Sequence, residues 1–437
     1  MIGIRREDKN RWERRVPLAP DHVAELIRHG IDVAIAPSPI RAFPDDAYRR
    51  AGARVSEDLS ACSLLVGVKE IPVAALRPET AHLFFAHVAK GQPANMPMLR
   101  RLIEIGATLV DYEKIVDDRG GRLVFFGRHA GFAGMLDTLW ALGRRLECEG
   151  IVSPFTHLRP AHAYADLEDA HAHLAAVATA LRRDGVPAPL HPLVVGFTGS
   201  GNVSRGAQEI FDQLPHEDIL PEDLASSIED DDLPRNLLYK VTFGRADRAA
   251  RIADGGFDAA ELVRRPELYG SAMASHLESV TVLVNGVYWE PGQPRVVSID
   301  DLRGLWSGPS APRLRVIGDI ACDLHGSIEA TIRLTTPGDP VFVFDPRSTT
   351  AIPGLEGDGP VILAVDNLPC ELPVDASQHF GDALLRFMPA LARCDWTRDY
   401  EALPLPAEIH RAVIVHRGRL TPPFASLERH LAAGRRA

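Results

Sequence analysis

The first 127 positions alternate short apolar runs with amphipathic stretches. The runs MIGIRRE, IDVAIAPS, SLLVGVKE, HLFFAHV, ATLVDYEKI and RLVFFG have the length and bounding residues of strands, and their continuous apolar centres suit strands buried on both faces. Between them, APDHVAELIRHG, DDAYRRAGARV and NMPMLRRLIEIG place apolar residues at helical spacing. This alternation predicts an α/β domain. The helical HAGFAGMLDTLWALGRRLE follows, then the His/Pro-rich turn SPFTHLRPAHAYAD. Next comes DLEDAHAHLAAVATALRRDG, an alanine-rich helix stopped by Gly185 and the Val-Pro after it.

A second alternation begins at HPLVVGFTGSGNVSRGAQEIF, which reads as a strand, a glycine turn and a helix, and VTVLVNGVYW and RLRVIGDIA add strands. The tail, with strands PVFVFDP and PVILAVDNL and helix DASQHFGDALLRFMPALARC, is expected to pack back on the first domain. The expected fold class is α/β, with two Rossmann-like domains of parallel sheets separated by a cleft. Residues 1–130 plus about 335–437 would form the substrate domain, and 131–334 the dinucleotide-binding domain.

Length and composition fit this picture. At 437 residues the chain exceeds one compact core, and with 46% apolar and 24% charged residues it is ordinary for a globular protein. The N-terminus enters a charged segment at once, and no stretch approaches the roughly 20 apolar residues of a membrane helix. A cytoplasmic protein is expected. Five scattered cysteines without a CxxC predict neither disulfides nor a structural metal. A net charge of −11 argues against nucleic acid as a partner and leaves local basic groups for small anions.

The glycine turn Gly199-Ser200-Gly201-Asn202-Val203-Ser204 follows an apolar strand and opens a helix, the context in which a glycine fingerprint carries meaning. Gly199 would allow the tight turn and Gly201 the approach of a pyrophosphate to the helix N-terminus. Ser204 stands at the third position, where Gly or Ala is usual. Glu222 and Asp223 fall about where a ribose-binding acid is expected and would favour NAD, or they belong to a solvated acidic loop, whereas Arg205 could pair a 2′-phosphate and favour NADP.

Lys69 and His87 end two of the apolar runs in the first domain. A lysine at the end of a buried strand loses hydration and basicity, and a histidine exchanges protons near neutrality, so the pair suits imine or ketone chemistry. Each also has a plain structural reading, as a snorkelling lysine and a satisfied core histidine. Arg15 and Arg122 carry planar forks suited to carboxylates, and each also reads as a surface salt-bridge residue. Glu70 and Glu113 beside the same strand ends could hold an ammonium group, and Asp319 ends the strand RVIGDI.

These residues sit in blocks with a wider likeness. RREDKNRWERRVPLAP, KEIP, HVAKGQ, FFGRHAGFAGML, FTGSGNVSRGAQEIF, VNGVYWE, DIACDLHGSIE and VDNLPCELPVDASQHFGDALL resemble, in order, the lysine-2-oxoglutarate reductase domain. That domain forms the N-terminal half of the aminoadipic semialdehyde synthase of animals and plants. It is related to fungal lysine-forming saccharopine dehydrogenase and more distantly to alanine dehydrogenase and the N-terminal part of transhydrogenase.

The resemblance implies reductive condensation of lysine with 2-oxoglutarate to saccharopine, using NADP or NAD. It implies Lys69 and His87 as the acid/base pair, Arg15 and Arg122 as carboxylate anchors, and Glu70 and Glu113 as acids of the amine site. Lys90, Gln92 and Asp319 match polar residues around the catalytic lysine. The second half of the bifunctional enzyme, a glutamate-forming dehydrogenase, would be a separate protein. Arg128-His129 departs from the expected neutral residues and leaves room for another amine or keto acid. The alternatives are an alanine-dehydrogenase-like or opine-type amination and a non-catalytic nucleotide-binding relative. Oligomeric state is left open.

Overall fold

The computed structural model describes residues 1–433 except 231 and 309. The chain divides into two compact units, residues 1–126 with 373–437 and residues 127–372.

The first unit opens with β1 (Ile2–Ile4), α1 (Pro20–Arg28), β2 (Val33–Ile35), α2 (Asp45–Arg50), β3 (Arg54–Val55), β4 (Leu64–Val66), β5 (Ala81–Phe84), α3 (Met96–Glu104) and β6 (Thr108–Asp111). The central strands are buried along their whole length, as the apolar runs require. α1 starts with Pro20 in its first turn and ends with Arg28 in its last, and it buries His22, Val23 and Leu26 on one face. α3 buries Met96, Leu99 and Leu102 at helical spacing.

The second unit contains the 22-residue α4 (Gly127–Cys148), α5 (Leu167–Asp184), β7 (Val194–Thr198), α6 (Asn202–Phe211), β8 (His216–Ile219) and β9 (Leu238–Phe243). The two-stranded antiparallel ribbon β10 (Ala249–Arg251) and β11 (Tyr269–Ser271) follows. After it come β12 (Val282–Asn285), β13 (Val316–Asp319), β14 (Val341–Asp345), β15 (Thr350–Pro353) and β16 (Val361–Leu363). The chain then returns to the first unit through helices Pro373–Leu385 and Met388–Arg393 and the strands β17 (Val413–His416) and β18 (Arg419–Leu420).

Each unit is built on an eight-stranded sheet, ordered β18-β17-β6-β5-β4-β1-β2-β3 and β15-β14-β16-β13-β12-β7-β9-β8. Both are parallel in the middle and antiparallel at one edge, so the expected parallel sheets are mixed ones. Two further expectations change. The strands at 341–345 and 361–363 belong to the second sheet rather than to the first domain, because β16 pairs β13 in parallel and β14 closes on β16. The unit boundary therefore falls at 372 and not near 335. RLVFFG forms no strand, only a bridge from Arg122 to Val116. The place beside β6 is taken by β17, and Phe126 turns inward to stack on Phe380 with centroids 4.4 Å apart.

Candidate functional site

In the first sheet, β1, β4, β5 and β6 are parallel or linked through parallel neighbours, so their carboxyl ends share one edge. Glu7, Lys69, His87 and Glu113 each come two or three residues beyond one of these ends. This edge is where open α/β sheets place their ligands.

The ammonium of Lys69 is held below its ordinary basicity by burial first and then by the positive charges of Arg15 and Lys9, with Glu13 and Glu70 opposing. Next to it, Glu70 Oε1 lies 2.5 Å from His87 Nδ1, and Glu70 Oε2 lies 3.4 Å from Lys9 Nζ. Burial pushes the Glu70 carboxyl up, but the His87 hydrogen bond and the charges of His87 and Lys9 outweigh it and bring the pKa to about 2. An ionised Glu70 on Nδ1 fixes the imidazole orientation and leaves Nε2 as the nitrogen for proton exchange. His87 has φ 48, a left-handed conformation that histidine tolerates better than most residues, and its ring stacks near Phe85.

The two arginines differ. Arg15 is fully buried, donates from Nε and Nη2 to the two carboxylate oxygens of Glu13 at 2.8 and 2.6 Å, and lies 4.3 Å over the Phe126 ring. Arg122 is half exposed and donates to Glu113 Oε1 at 3.0 Å. Buried Asp111 accepts the Glu113 backbone N–H at 2.9 Å. Burial, opposed by that N–H and reinforced by the Glu113 charge, lifts the Asp111 pKa to about 7. Lys90 is exposed, and its backbone N–H donates to Gln92 Oε1 at 3.1 Å in the turn after His87. Asp319 belongs to the other unit, where it ends β13.

In the second unit Gly199 has φ 83 and turns the chain from β7 into α6, while Gly201 precedes the helix with open space where a Cβ would stand. Ser200 and Asn202 are exposed, and Asn202 Oδ1 accepts from Arg205 at 2.7 Å. Val203 is half-buried. Ser204 is buried and leaves room for the end of β12 only because residue 286 is glycine, whose Cβ would come 2.9 Å from Ser204 N. The close approach usually given to the third fingerprint glycine falls instead to Gly206 and Gly131. A Cβ on Gly206 would stand 2.2 Å from the Arg128 carbonyl oxygen, and one on Gly131 2.2 Å from that of Val203. Arg128 also pairs Glu209 on α6 at 2.6 Å, and His129 is buried beside Phe132.

At the carboxyl ends of β7, β12 and β13, Thr198 Oγ1 donates to Asn285 Oδ1 at 2.8 Å. The Asn285 amide donates to Asp319 Oδ1 and Ser327 Oγ, both at 2.8 Å, and Thr331 donates to Asp319 Oδ2 at 2.6 Å. Burial raises the Asp319 pKa to about 6 against the pull of the Thr331 and Asn285 hydrogen bonds. Glu222 and Asp223 follow β8, which is the edge strand; β9 lies between β8 and β7. The residues that follow β7's neighbour are Gly244, Arg245, Ala246, Asp247 and Arg248.

Sequence reasoning missed Glu7, Lys9, Glu13, Asp111 and Asn285. Glu7 and Lys9 lie in the charged run after the first strand, and Asp111 and Asn285 each close a strand, a position that could have flagged them. Among the described residues no group of three or more His, Cys, Asp or Glu could hold a metal ion, and no helix is long and apolar enough to cross a membrane.

Comparison with known proteins gives the same architecture. Residues 3–133 match the alanine dehydrogenase/PNT N-terminal domain and residues 294–423 the corresponding C-terminal domain. The chain is 35% identical over 442 residues to the mitochondrial alpha-aminoadipic semialdehyde synthase of Bos taurus, covering 98% of this chain and 48% of the bovine protein. It thus spans about half the length of that relative. It is 26% identical over 409 residues to the saccharopine dehydrogenase [NAD(+), L-lysine-forming] of Neurospora crassa, covering 91% of this chain and 92% of the fungal one. A solved L-alanine dehydrogenase has the same fold, with a TM-score of 0.63 at 20% identity over 98% of this chain and 99% of its own. The two domain matches together take in more than half of the 437 residues, and the chain belongs to the alanine dehydrogenase/PNT family.

Proposed function

We propose that this chain catalyses the reductive condensation of L-lysine with 2-oxoglutarate to saccharopine, or its reverse, with a nicotinamide cofactor. The observation that carries the reading is that Lys69, its basicity lowered by burial and by the charges of Arg15 and Lys9, and His87, whose Nδ1 is held by ionised Glu70, follow the carboxyl ends of the neighbouring parallel strands β4 and β5. The names of the bovine and fungal relatives point to the same chemistry.

The reaction needs a neutral amine to attack a ketone, and then loss of the carbinolamine oxygen as water. Lys69, with lowered basicity, takes the proton from the substrate ammonium. His87 Nε2 delivers a proton to the carbinolamine oxygen as it leaves, with the imidazolium stabilised by Glu70. Arg122 is the carboxylate anchor we favour, since its fork is half exposed and its partner Glu113 can exchange to the amine of the substrate. Arg15, already satisfied by Glu13, acts through its charge on Lys69.

The turn Gly199–Ser204 and the α6 N-terminus fit a pyrophosphate, with Gly199 at positive φ and open space at Gly201. A bound reduced nicotinamide supplies the hydride. For the ribose we favour the turn after β9 over Glu222 and Asp223, because β9 is the strand next to β7. Arg245 is exposed there, and Arg248 has its basicity lowered by burial and by the like charge of Arg245. Two cations suit a 2′-phosphate, and NADPH is the expected donor.

The test is nicotinamide absorbance with lysine plus 2-oxoglutarate and each reduced cofactor in turn. Oxidation is expected only when both substrates are present, with NADPH preferred. Absence of turnover with either cofactor from about pH 6 to about pH 10 overturns the function. Better turnover with ammonia than with lysine replaces it by an alanine-dehydrogenase-like amination.

A further inference from the structure

β4 ends at Val66, and the two residues that follow Gly67 find no strand partner for their N–H groups. Both N–H groups go to one side chain. Glu7, buried and three residues past the end of β1, accepts Val68 N–H on Oε1 at 2.7 Å and Lys69 N–H on Oε2 at 3.0 Å. The approach depends on Gly67, whose Cβ would stand 3.2 Å from Glu7 Oε1. The ladder on either side is intact: Arg5 N–H donates to Val66 O, Gly67 N–H to Leu83 O and Phe85 N–H to Val68 O, all at 3.0 Å. Glu7 therefore fills the one place where the chain leading to Lys69 leaves the sheet.

We propose that Glu7 is a positioning residue for Lys69, a carboxylate that fixes the backbone from which the catalytic ammonium projects. The ionised form accepts strongly on both oxygens. Protonation turns one oxygen into a hydroxyl, a weaker acceptor whose own proton must find a partner, and the hydrogen bond on that side is weakened.

The groups around Glu7 make that change accessible. Burial raises its pKa to about 7, the Arg5 charge and the two backbone N–H groups pull it down, and the Glu13 charge pushes it up. Tyr112, fully buried after β6, is near enough to feel the carboxylate, and its own acidity is suppressed by burial and by the charges of Glu7 and Asp111. Because the carboxyl changes state near neutral pH, the Lys69 turn is tight on the alkaline side and loose on the acid side. The device couples proton activity to the position of the acid/base group, in addition to the titration of Lys69 itself.

The chain has five lysines, so selective 15N-lysine labelling yields a sparse amide spectrum in which Lys69 is identified by the peak missing from Lys69→Arg. In the full-length protein, the Lys69 amide proton is expected to shift with a midpoint near neutral pH. Glu7→Gln, which fixes one acceptor and one donor at every pH, is expected to abolish that titration. It should also lower kcat by about tenfold or more on the alkaline side, with the nucleotide dissociation constant close to wild type. A flat wild-type titration, or one that persists in Glu7→Gln, overturns the proposal, and the wild-type titration decides even if the variant fails to fold. The kinetic consequence rests on Lys69 as the acid/base group. Failure of that reading appears separately, as retained turnover in Lys69→Met.

Discussion

Two glycines within eight residues of the end of β7 have opposite jobs, and alanine at each separates packing from ligand binding. At Gly206 a Cβ would lie 2.2 Å from the Arg128 carbonyl oxygen, against a comfortable carbon–oxygen contact of about 3.3 Å. α4 and α6 would have to part by about 1 Å, and the obstruction is backbone on both sides. Overpacking of this kind costs about 3 kcal/mol at the upper end, and alanine's better helix propensity returns about 1 kcal/mol. The net loss is about 2 kcal/mol, or about 4 to 8 °C in Tm for a unit of this size. At Gly201 the added Cβ meets nothing within 4 Å, and φ is −77, so no packing is lost. The weaker N-cap preference of alanine and the reduced freedom of the unfolded chain nearly cancel, leaving Tm within about 2 °C. The same Cβ occupies the approach to the helix N-terminus, and reduced-dinucleotide affinity is expected to fall by about tenfold or more. Differential scanning calorimetry and isothermal titration calorimetry with NADPH measure both effects. Equal Tm values for Gly206→Ala and wild type, or unchanged affinity in Gly201→Ala, would refute the division of labour.

Lys69→Met and His87→Gln are each expected to lower kcat by about 100-fold or more while leaving the dinucleotide dissociation constant unchanged, as stopped-flow and equilibrium titration would show. Arg15→Met leaves Glu13 buried without its bidentate partner and should cost about 3 to 5 kcal/mol in urea unfolding, with much of the loss recovered by adding Glu13→Gln. A third test concerns Asp137 on α4 and Glu371, buried acids of the second unit. Burial raises both, Glu371 to about 8 against the lowering effect of Asp137 and of the His162 N–H. Glu371 is thus protonated when folded and ionised when unfolded between its unfolded value near 4.5 and about 8. Its contribution is present below that window and is lost as pH rises through it, by at most about 1.4 kcal/mol per pH unit. Glu371→Gln is expected to flatten that part of the Tm–pH profile.

The apolar runs and helical spacings placed most of the strands and helices, and strand ends in an α/β chain marked Lys69 and His87 as candidates, which the family resemblance then set apart from plain structural residues. Hydrophobic periodicity records which residues are buried, and the glycine turn records a local conformation. Neither records which strand lies beside which. Only the tertiary structure decided that β9 rather than β8 neighbours β7, which is the reason for proposing the turn at Arg245 rather than Glu222 and Asp223 as the ribose end. It likewise decided that the strands at 341–345 and 361–363 extend the second sheet, because pairing is a contact between distant segments. The partners of charged side chains were hidden for the same reason. The pairing of Arg15 with Glu13 was not legible in the sequence, and Glu7 was one more charge in a charged run until β1 and β4 were laid side by side.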